Sequence, residues 1–168
     1  PTDDRRRQYY DVLARETDRL RRFVETLLDF GRMQAGATRY RLAPLDLSPC
    51  IGAVVEEFRT DAAAGTHPVS FTSPGQLPAV DGDPEALSRA IWNLLENAAK
   101  YSPDGSPIAV RLDVDGRAVA IRVTDQGAGI PEEEQPHIFQ QFYRGAAASV
   151  SAIKGTGVGL AKTHGLAT

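Results

Sequence analysis

The chain has one cysteine, Cys50, so it can close no intrachain disulfide and build no thiolate zinc cage. No run approaches the roughly 18 apolar residues of a membrane span. The N-terminus opens on Thr2, two aspartates and three arginines instead of the apolar core of a signal segment. Charge of one sign is also lacking: 19 basic against 22 acidic side chains leave a net charge of −3, which gives no global attraction to nucleic acid or anionic lipid. Any bound anion must be held locally. Solenoid-type internal repeats are absent as well. What remains is a chain of 168 residues, 42% hydrophobic and 24% charged, sized for one ordinary domain or one domain with a short appendage. That composition predicts a packed core and a soluble, reducing, cytoplasmic setting, whether the chain stands alone or is cut from a longer membrane-anchored protein.

From Thr2 to Ala35 there is no proline, and no glycine before Gly31. Leu13, Leu20 and Leu27 recur every seven residues, with Tyr9, Phe23 and Phe30 on the adjoining seam and Glu16 as the polar exception. This predicts a long, coiled-coil-like helix that packs on another helix. Its arginines alternate with Asp3, Asp4, Asp11, Asp18 and Glu25, which reads as a solvated face and not as a nucleic-acid patch. Gly36 is placed to end the helix, and Arg39 to Leu47, broken by Pro44, reads as an extended connector. A boundary is therefore expected between residues 1–43 and 44–168.

Asp46 or Ser48 is suited to cap, and Pro49 to open, a second helix with Ile51, Val54, Val55 and Phe58 on its apolar face, ending near Gly65. Val69 to Thr72 is a short strand candidate and Ala79-Val80 a weaker one. Asp83-Pro84-Glu85 supplies a cap, a first-position proline and a first-turn acid for a third helix running to about Tyr101. Ile108, Val110 and Leu112, then Val119, Ile121 and Val123, alternate on either side of Asp115-Gly116, which predicts an antiparallel hairpin with one buried face. Pro131 with Glu132, Glu133 and Glu134 reads as the acidic first turn of another helix, and Ala146 to Ile153 as a mobile loop.

Three segments bear chemistry. In the third helix Asn93, Asn97 and Lys100 are four and three residues apart and share a face, while Leu94, Leu95 and Ala98 are free to enter the core. Carboxamide oxygens suit a hydrated magnesium ion that takes its other ligands from phosphate, and a lysine adds a point charge; taken singly, the segment reads by default as an ordinary surface helix. Asp125, Gly127 and Gly129, followed by Ile130, leave the hairpin's second strand. A carboxylate there accepts from an exocyclic amine such as that of adenine, and the missing side chains let a flat base approach, although an Asp-Gly turn is the plain alternative. Gly155, Gly157 and Gly159 precede Leu160 and the last helical segment, where unpaired N–H groups form a phosphate seat. Lys162-Thr163 mimics the end of a Walker A loop, but that motif needs glycine where Thr156 and Ala161 stand.

In this order and spacing the segments resemble the N, G1 and G2 boxes of sensor histidine kinases, within the ATPase superfamily shared with gyrase, the Hsp90 chaperones and MutL. Ile138-Phe139, Phe142, Tyr143 and Arg144 resemble the intervening F box, and the heptad helix ending at Arg32 to Gly36 resembles the second helix of the family's dimerisation and phosphotransfer hairpin. The resemblance implies an α+β fold: a two-layer Bergerat-type sandwich, a mixed sheet backed by three helices, preceded by the long helix. It implies ATP and Mg2+ bound between the Asn93 helix and a lid from about Tyr143 to Thr156. Asn97 would hold the metal with Asn93 supporting it, Lys100 would reach phosphate, and Tyr101 would lie against the nucleotide. Asp125 would accept from adenine, Gly127 and Gly129 would line the base, and Ile130 and Leu160 would pack on it. Arg144 would approach the terminal phosphate, and Gly155, Gly157 and Gly159 would follow the phosphate chain. The implied partners are ATP or ADP, a hairpin helix bearing the phosphoacceptor histidine, a response regulator and a second copy of the full-length protein, with no nucleic acid and with an inner-membrane anchor an option for that longer protein.

Hydrolytic members of the superfamily carry a glutamate four residues before the magnesium asparagine. Here that position is Asn93, whose amide takes no proton, which favours phosphoryl transfer to histidine over hydrolysis. The pattern also departs from the family. His67, His137 and His164 all lie off the heptad helix, with no metal-ligand spacing and surface or half-buried positions expected, so no phosphoacceptor is present and autophosphorylation of this chain is not expected. The family's closing strands lie beyond Thr168, so the catalytic part is expected to be C-terminally truncated, with an exposed sheet edge. A catalytically silent interaction module of the same fold and a superfamily hydrolase stand as the alternatives.

Overall fold

The computed structural model describes residues 5–6, 9–10, 12–13, 16–17, 20 and 24, residues 40–140 except Arg117, and Tyr143 and Leu160. The chain divides into two units, Pro1–Arg39 and Tyr40–Thr168. In the first, every described position is helical. The heptad residues Tyr9, Leu13 and Leu20 are 65%, 61% and 62% exposed. Phe23, Leu27, Phe30 and the helix end at Gly36 lie outside the described residues.

In the second unit, helix α1 (Leu47–Thr60) starts where the Asp46 carboxylate accepts the N–H of Ser48. Leu47, Ile51, Val54, Val55 and Phe58, spaced i, i+4, i+7, i+8 and i+11, are all buried. The helix stops at Thr60, short of the expected Gly65. The Asp61 side chain takes the N–H of Ala63 at 2.7 Å, and its own N–H turns back to the Phe58 carbonyl at 3.1 Å, which converts the continuation into a 3-10 turn over Ala62–Ala64. Helix α2 (Pro84–Tyr101) starts at Asp83, whose Oδ1 accepts from both Glu85 and Ala86 at 3.1 Å, with Pro84 at its first position.

Strand β1 (Ala43–Leu45) lies inside the segment expected to be a plain connector. It pairs antiparallel with β3 (Val80–Gly82), Leu45 opposite Val80 and Ala43 opposite Gly82. Strand β2 (Val69–Thr72) runs parallel to β4 (Ile108–Asp115), and β4 turns antiparallel into β5 (Ala118–Thr124), giving a mixed sheet of order β2-β4-β5. Gly116, at φ +62°, supplies the left-handed turn residue that joins β4 to β5. His67, expected at or near the surface, is buried just before β2, and its Nδ1 donates to the Ser106 carbonyl at 2.9 Å, tying the start of β2 to the start of β4.

Ile108, Val110 and Leu112 face the helices and are buried. Arg111 and Arg122 stand opposite each other on the other side of the sheet, and Asp113 bridges them at 2.6 and 3.1 Å. The core lies between, with Phe58 of α1 fully buried and edge-on to Trp92 of α2 at 5.2 Å. This is the expected α+β, two-layer arrangement. Of the three expected helices two are formed, and of the third only Leu160, itself helical, is described.

The helix expected from Pro131 does not form: 132–139 is a series of turns. Glu134 and Gln135 both donate to the Pro131 carbonyl, as in a first helical turn. Pro136 then has no N–H to continue the ladder, and the next bond is the tighter one from His137 to Glu134 at 2.9 Å.

Candidate functional site

The α2 residues that bury are Ala86, Ala90, Ile91, Leu95 and Ala98, and this side of the helix rests on the sheet and on α1. The rotation this imposes leaves Asn93, Asn97 and Lys100 together, each half-buried. Neither carboxamide has a hydrogen-bond partner among the described residues, so both retain their full donor and acceptor capacity for a ligand. The Lys100 ammonium lies 3.3 Å from the Tyr101 hydroxyl and 4.8 Å from the centre of its ring, and Tyr101 remains 38% exposed at the end of the helix.

The end of α2 meets the loop that follows β5. Ser102, the residue after the helix, accepts the N–H of Gln126 on its hydroxyl at 3.2 Å. Gly127 sits against the last turn so closely that a β-carbon there would lie 2.9 Å from the Tyr101 carbonyl oxygen. The exposed Asp125 accepts the Gly127 N–H on Oδ1 at 2.7 Å, which fixes the side chain and leaves Oδ2 with no partner among the described residues. Gly129, at φ +75°, turns the loop onward with open space around its α-carbon. Ile130 follows, 43% exposed, and its carbonyl accepts from the Gln135 side chain at 3.2 Å.

The structure thus brings Tyr101, Asp125 and Gly127 to one place at the end of the helix bearing Asn93, Asn97 and Lys100. Ile130 leaves that junction along the same loop. Leu160 is helical and half-buried; Arg144, Gly155, Gly157 and Gly159 lie outside the described residues, as does the expected lid apart from Tyr143. Tyr143 packs on His137, ring centres 5.6 Å apart, and its hydroxyl is pushed above the ordinary tyrosine value, first by burial and then by the charges of Glu134 and Glu133. His137 is exposed and accepts from Gln140 at 3.0 Å on Nδ1. Sequence reasoning missed Ser102 and Gln126 as the bond that closes the junction. Their only local signal was a serine directly after a helix.

Comparison with known proteins places these elements in a family context. The family described as Histidine kinase-, DNA gyrase B-, and HSP90-like ATPase matches residues 82–168. The chain is 34% identical over 167 residues to the sensor histidine kinase Hik2 of Thermosynechococcus vestitus, covering 95% of this chain and 42% of that protein. It is 38% identical over 162 residues to the signal transduction histidine-protein kinase/phosphatase MprB of Mycolicibacterium smegmatis, covering 96% of this chain and 31% of that protein. Among solved structures, full-length ShkA in complex with AMPPNP superposes with a TM-score of 0.76 at 27% identity, over 95% of this chain and 33% of that one. The chain therefore spans less than half the length of these relatives.

Proposed function

Because the chain belongs to the family of histidine kinase-, DNA gyrase B- and HSP90-like ATPases, we propose that it is the ATP-binding catalytic part of a sensor histidine kinase. It binds ATP with Mg2+ and offers the γ-phosphoryl group to a histidine on a hairpin helix, from which a response regulator receives it. The observation that carries this reading is the junction of Tyr101 and Ser102 with Gln126 and Gly127, beside a helix whose two asparagines have no partner among the described residues. Its donor set fits an adenine nucleotide: Asp125 Oδ2 accepts the exocyclic amine, the bare α-carbons of Gly127 and Gly129 admit the flat base, and Tyr101 and Ile130 offer apolar surface to it. ShkA, similar over nearly all of this chain, holds the adenine nucleotide analogue AMPPNP.

Asn97 holds the metal with Asn93 in support, and Lys100 reaches phosphate. Among the described residues no three His, Cys, Asp or Glu side chains gather into a cation cage, and the Asn97 carboxamide would suit Mg2+, a cation usually held by few protein ligands together with substrate phosphates and water. Mg2+ supplies charge neutralisation on the phosphates. Arg144 approaches the terminal phosphate, the amides of Gly155, Gly157 and Gly159 follow the phosphate chain, and Leu160 packs on the base. Asn93 offers no base for a water, so the reaction is transfer and not hydrolysis, with positioning and electrostatics doing most of the catalysis. The described helices include none long and apolar enough to cross a membrane. The site works in the cytoplasm, and the full-length protein works as a homodimer.

Calorimetric titration with ATP, with and without Mg2+, tests the binding: affinity is expected to fall by tenfold or more without the metal. With γ-labelled ATP, label is expected on an added phosphoacceptor hairpin and not on this chain. A folded sample that ignores millimolar ATP and ADP, or that labels itself, overturns the reading.

A further inference from the structure

The two carboxylate oxygens of Asp83 serve different segments. Oδ1 accepts the N–H groups of Glu85 and Ala86 at 3.1 Å and closes the first turn of α2. Oδ2 accepts the N–H of Arg41 at 2.9 Å. Arg41 stands just before β1 and two positions after Arg39, the last residue of the first unit. The β1–β3 ladder runs from Leu45 opposite Val80 to Ala43 opposite Gly82 and ends there, because α2 begins at Pro84, whose nitrogen carries no hydrogen. One residue past the ladder, beyond Leu42, the Asp83 side chain takes the N–H of Arg41. A β-carbon on Gly82 would lie 3.0 Å from the Leu45 side chain, so the two strands pack closely at this end.

We propose that Asp83 is a positioning residue that fastens the segment entering the catalytic unit to the N-terminus of the nucleotide-binding helix, so that nucleotide binding and ordering of that segment reinforce each other. This rests on the proposed function. The geometric basis is that one continuous helix, α2, joins Asp83 at its start to the asparagine end. Asn97 lies 14 residues along it from Asp83, about 21 Å at 1.5 Å per residue, so the hydrogen-bonded backbone of one helix is the path between the two sites. Coupling of this kind is reciprocal: whatever nucleotide does to the Arg41 bond, the bond does to nucleotide affinity.

The two roles separate by mutation. Asparagine caps a helix as well as aspartate does, but has a single carbonyl oxygen, and its NH2 group cannot accept from Arg41. Amide hydrogen exchange on the full chain, followed by NMR, reads both bonds. In Asp83→Asn without nucleotide, the Arg41 amide is expected to exchange about tenfold faster, a factor in line with losing a charge-assisted bond, while Glu85 and Ala86 keep their protection. Asp83→Ala is expected to lose all three. Saturating Mg·ADP slows Arg41 exchange in the wild type and not in Asp83→Asn, where ADP affinity also falls. Equal Arg41 exchange in the nucleotide-free wild type and Asp83→Asn overturns the fastening. ADP binding that leaves the wild-type Arg41 amide unchanged overturns the coupling alone, and failure of the wild type to bind ADP at all overturns the proposed function together with the coupling.

Discussion

Replacing Gly127 by alanine puts a carbon 2.9 Å from the Tyr101 carbonyl oxygen and 2.9 Å from Asp125 Oδ1. An ordinary carbon–oxygen contact is about 3.4 Å, so both are about 0.5 Å too short. The Asp125 carboxylate can rotate away at the expense of its 2.7 Å bond to the Gly127 N–H. The Tyr101 oxygen belongs to the main chain of the last turn of α2 and cannot. The loop must retreat, stretching the bond from Gln126 to Ser102. Overpacking of this size costs about 1–3 kcal/mol, and a lost hydrogen bond about 1 kcal/mol more. If the nucleotide needs the loop where it stands, restoring it on binding lowers affinity by about 5- to 150-fold for 1–3 kcal/mol. Urea unfolding and calorimetric titration with Mg·ADP measure the two effects on one sample. Gly129→Ala is the control: φ is +75° with nothing within 4 Å, so it meets only the left-handed backbone penalty of about 1–2 kcal/mol and no collision. Wild-type stability together with ADP affinity within about twofold for Gly127→Ala would refute the claim that this loop is wedged against the helix end.

Phe58→Ala empties a fully buried site beside Trp92 and is expected to lower unfolding free energy by about 3–5 kcal/mol; a loss below about 1 kcal/mol in urea titration contradicts the packing. The Arg41 N–H, then that of Ala86, hold the Asp83 carboxyl below its ordinary value of 3.8, with Glu85 and the charge of Arg89 adding to them and burial opposing. A carboxyl depressed by folding stabilises fully above that ordinary value and loses its contribution as pH falls through the lower, folded one. Stability measured below pH 4 is therefore expected to decline less steeply in Asp83→Asn than in the wild type, and parallel profiles would show that the carboxylate contributes nothing. Asn97→Asp places a second anion beside the phosphates and is expected to change ADP affinity and its magnesium dependence by about tenfold or more, and unchanged titrations would remove Asn97 from the metal site.

What the sequence disclosed depended on how far apart the interacting residues lie. The β4–β5 hairpin was legible because the alternation of Ile108, Val110 and Leu112 and the Asp115-Gly116 turn are local signals. The α2 cap was legible because Asp83, Pro84 and Glu85 act within one turn, and Asn93, Asn97 and Lys100 because helical spacing alone puts them on one face. Strand β3 was legible only as the weak Ala79-Val80 signal, which begins one residue before its start and stops two short of its end, and β1 was not, since each has three residues, Pro44 brings no donor, and what makes them strands is a partner far away in the chain. The stop at Thr60 and the turns after Pro131 were misjudged for a different reason: a single competing group, the Asp61 carboxylate in one case and the missing N–H of Pro136 in the other, overrode a favourable local pattern.

The site divides along the same line. The placement of Asp125 and Gly127 at the end of the hairpin's second strand was legible, but not the Ser102 hydroxyl that holds Gln126 across 24 residues, nor the second oxygen of Asp83 that holds Arg41 across 42. Residues that join distant segments have identities dictated by partners that a local pattern does not contain. They also contribute little to the core, which lies between α1, α2 and the inner face of the sheet. Substitutions that spare their local role, such as Asp83→Asn, should therefore separate the elements of the site while leaving the fold standing. Losses of nucleotide affinity at Ser102 and Asp83 should exceed what their effect on global stability accounts for, whereas at Phe58 stability should fall first and affinity only with it.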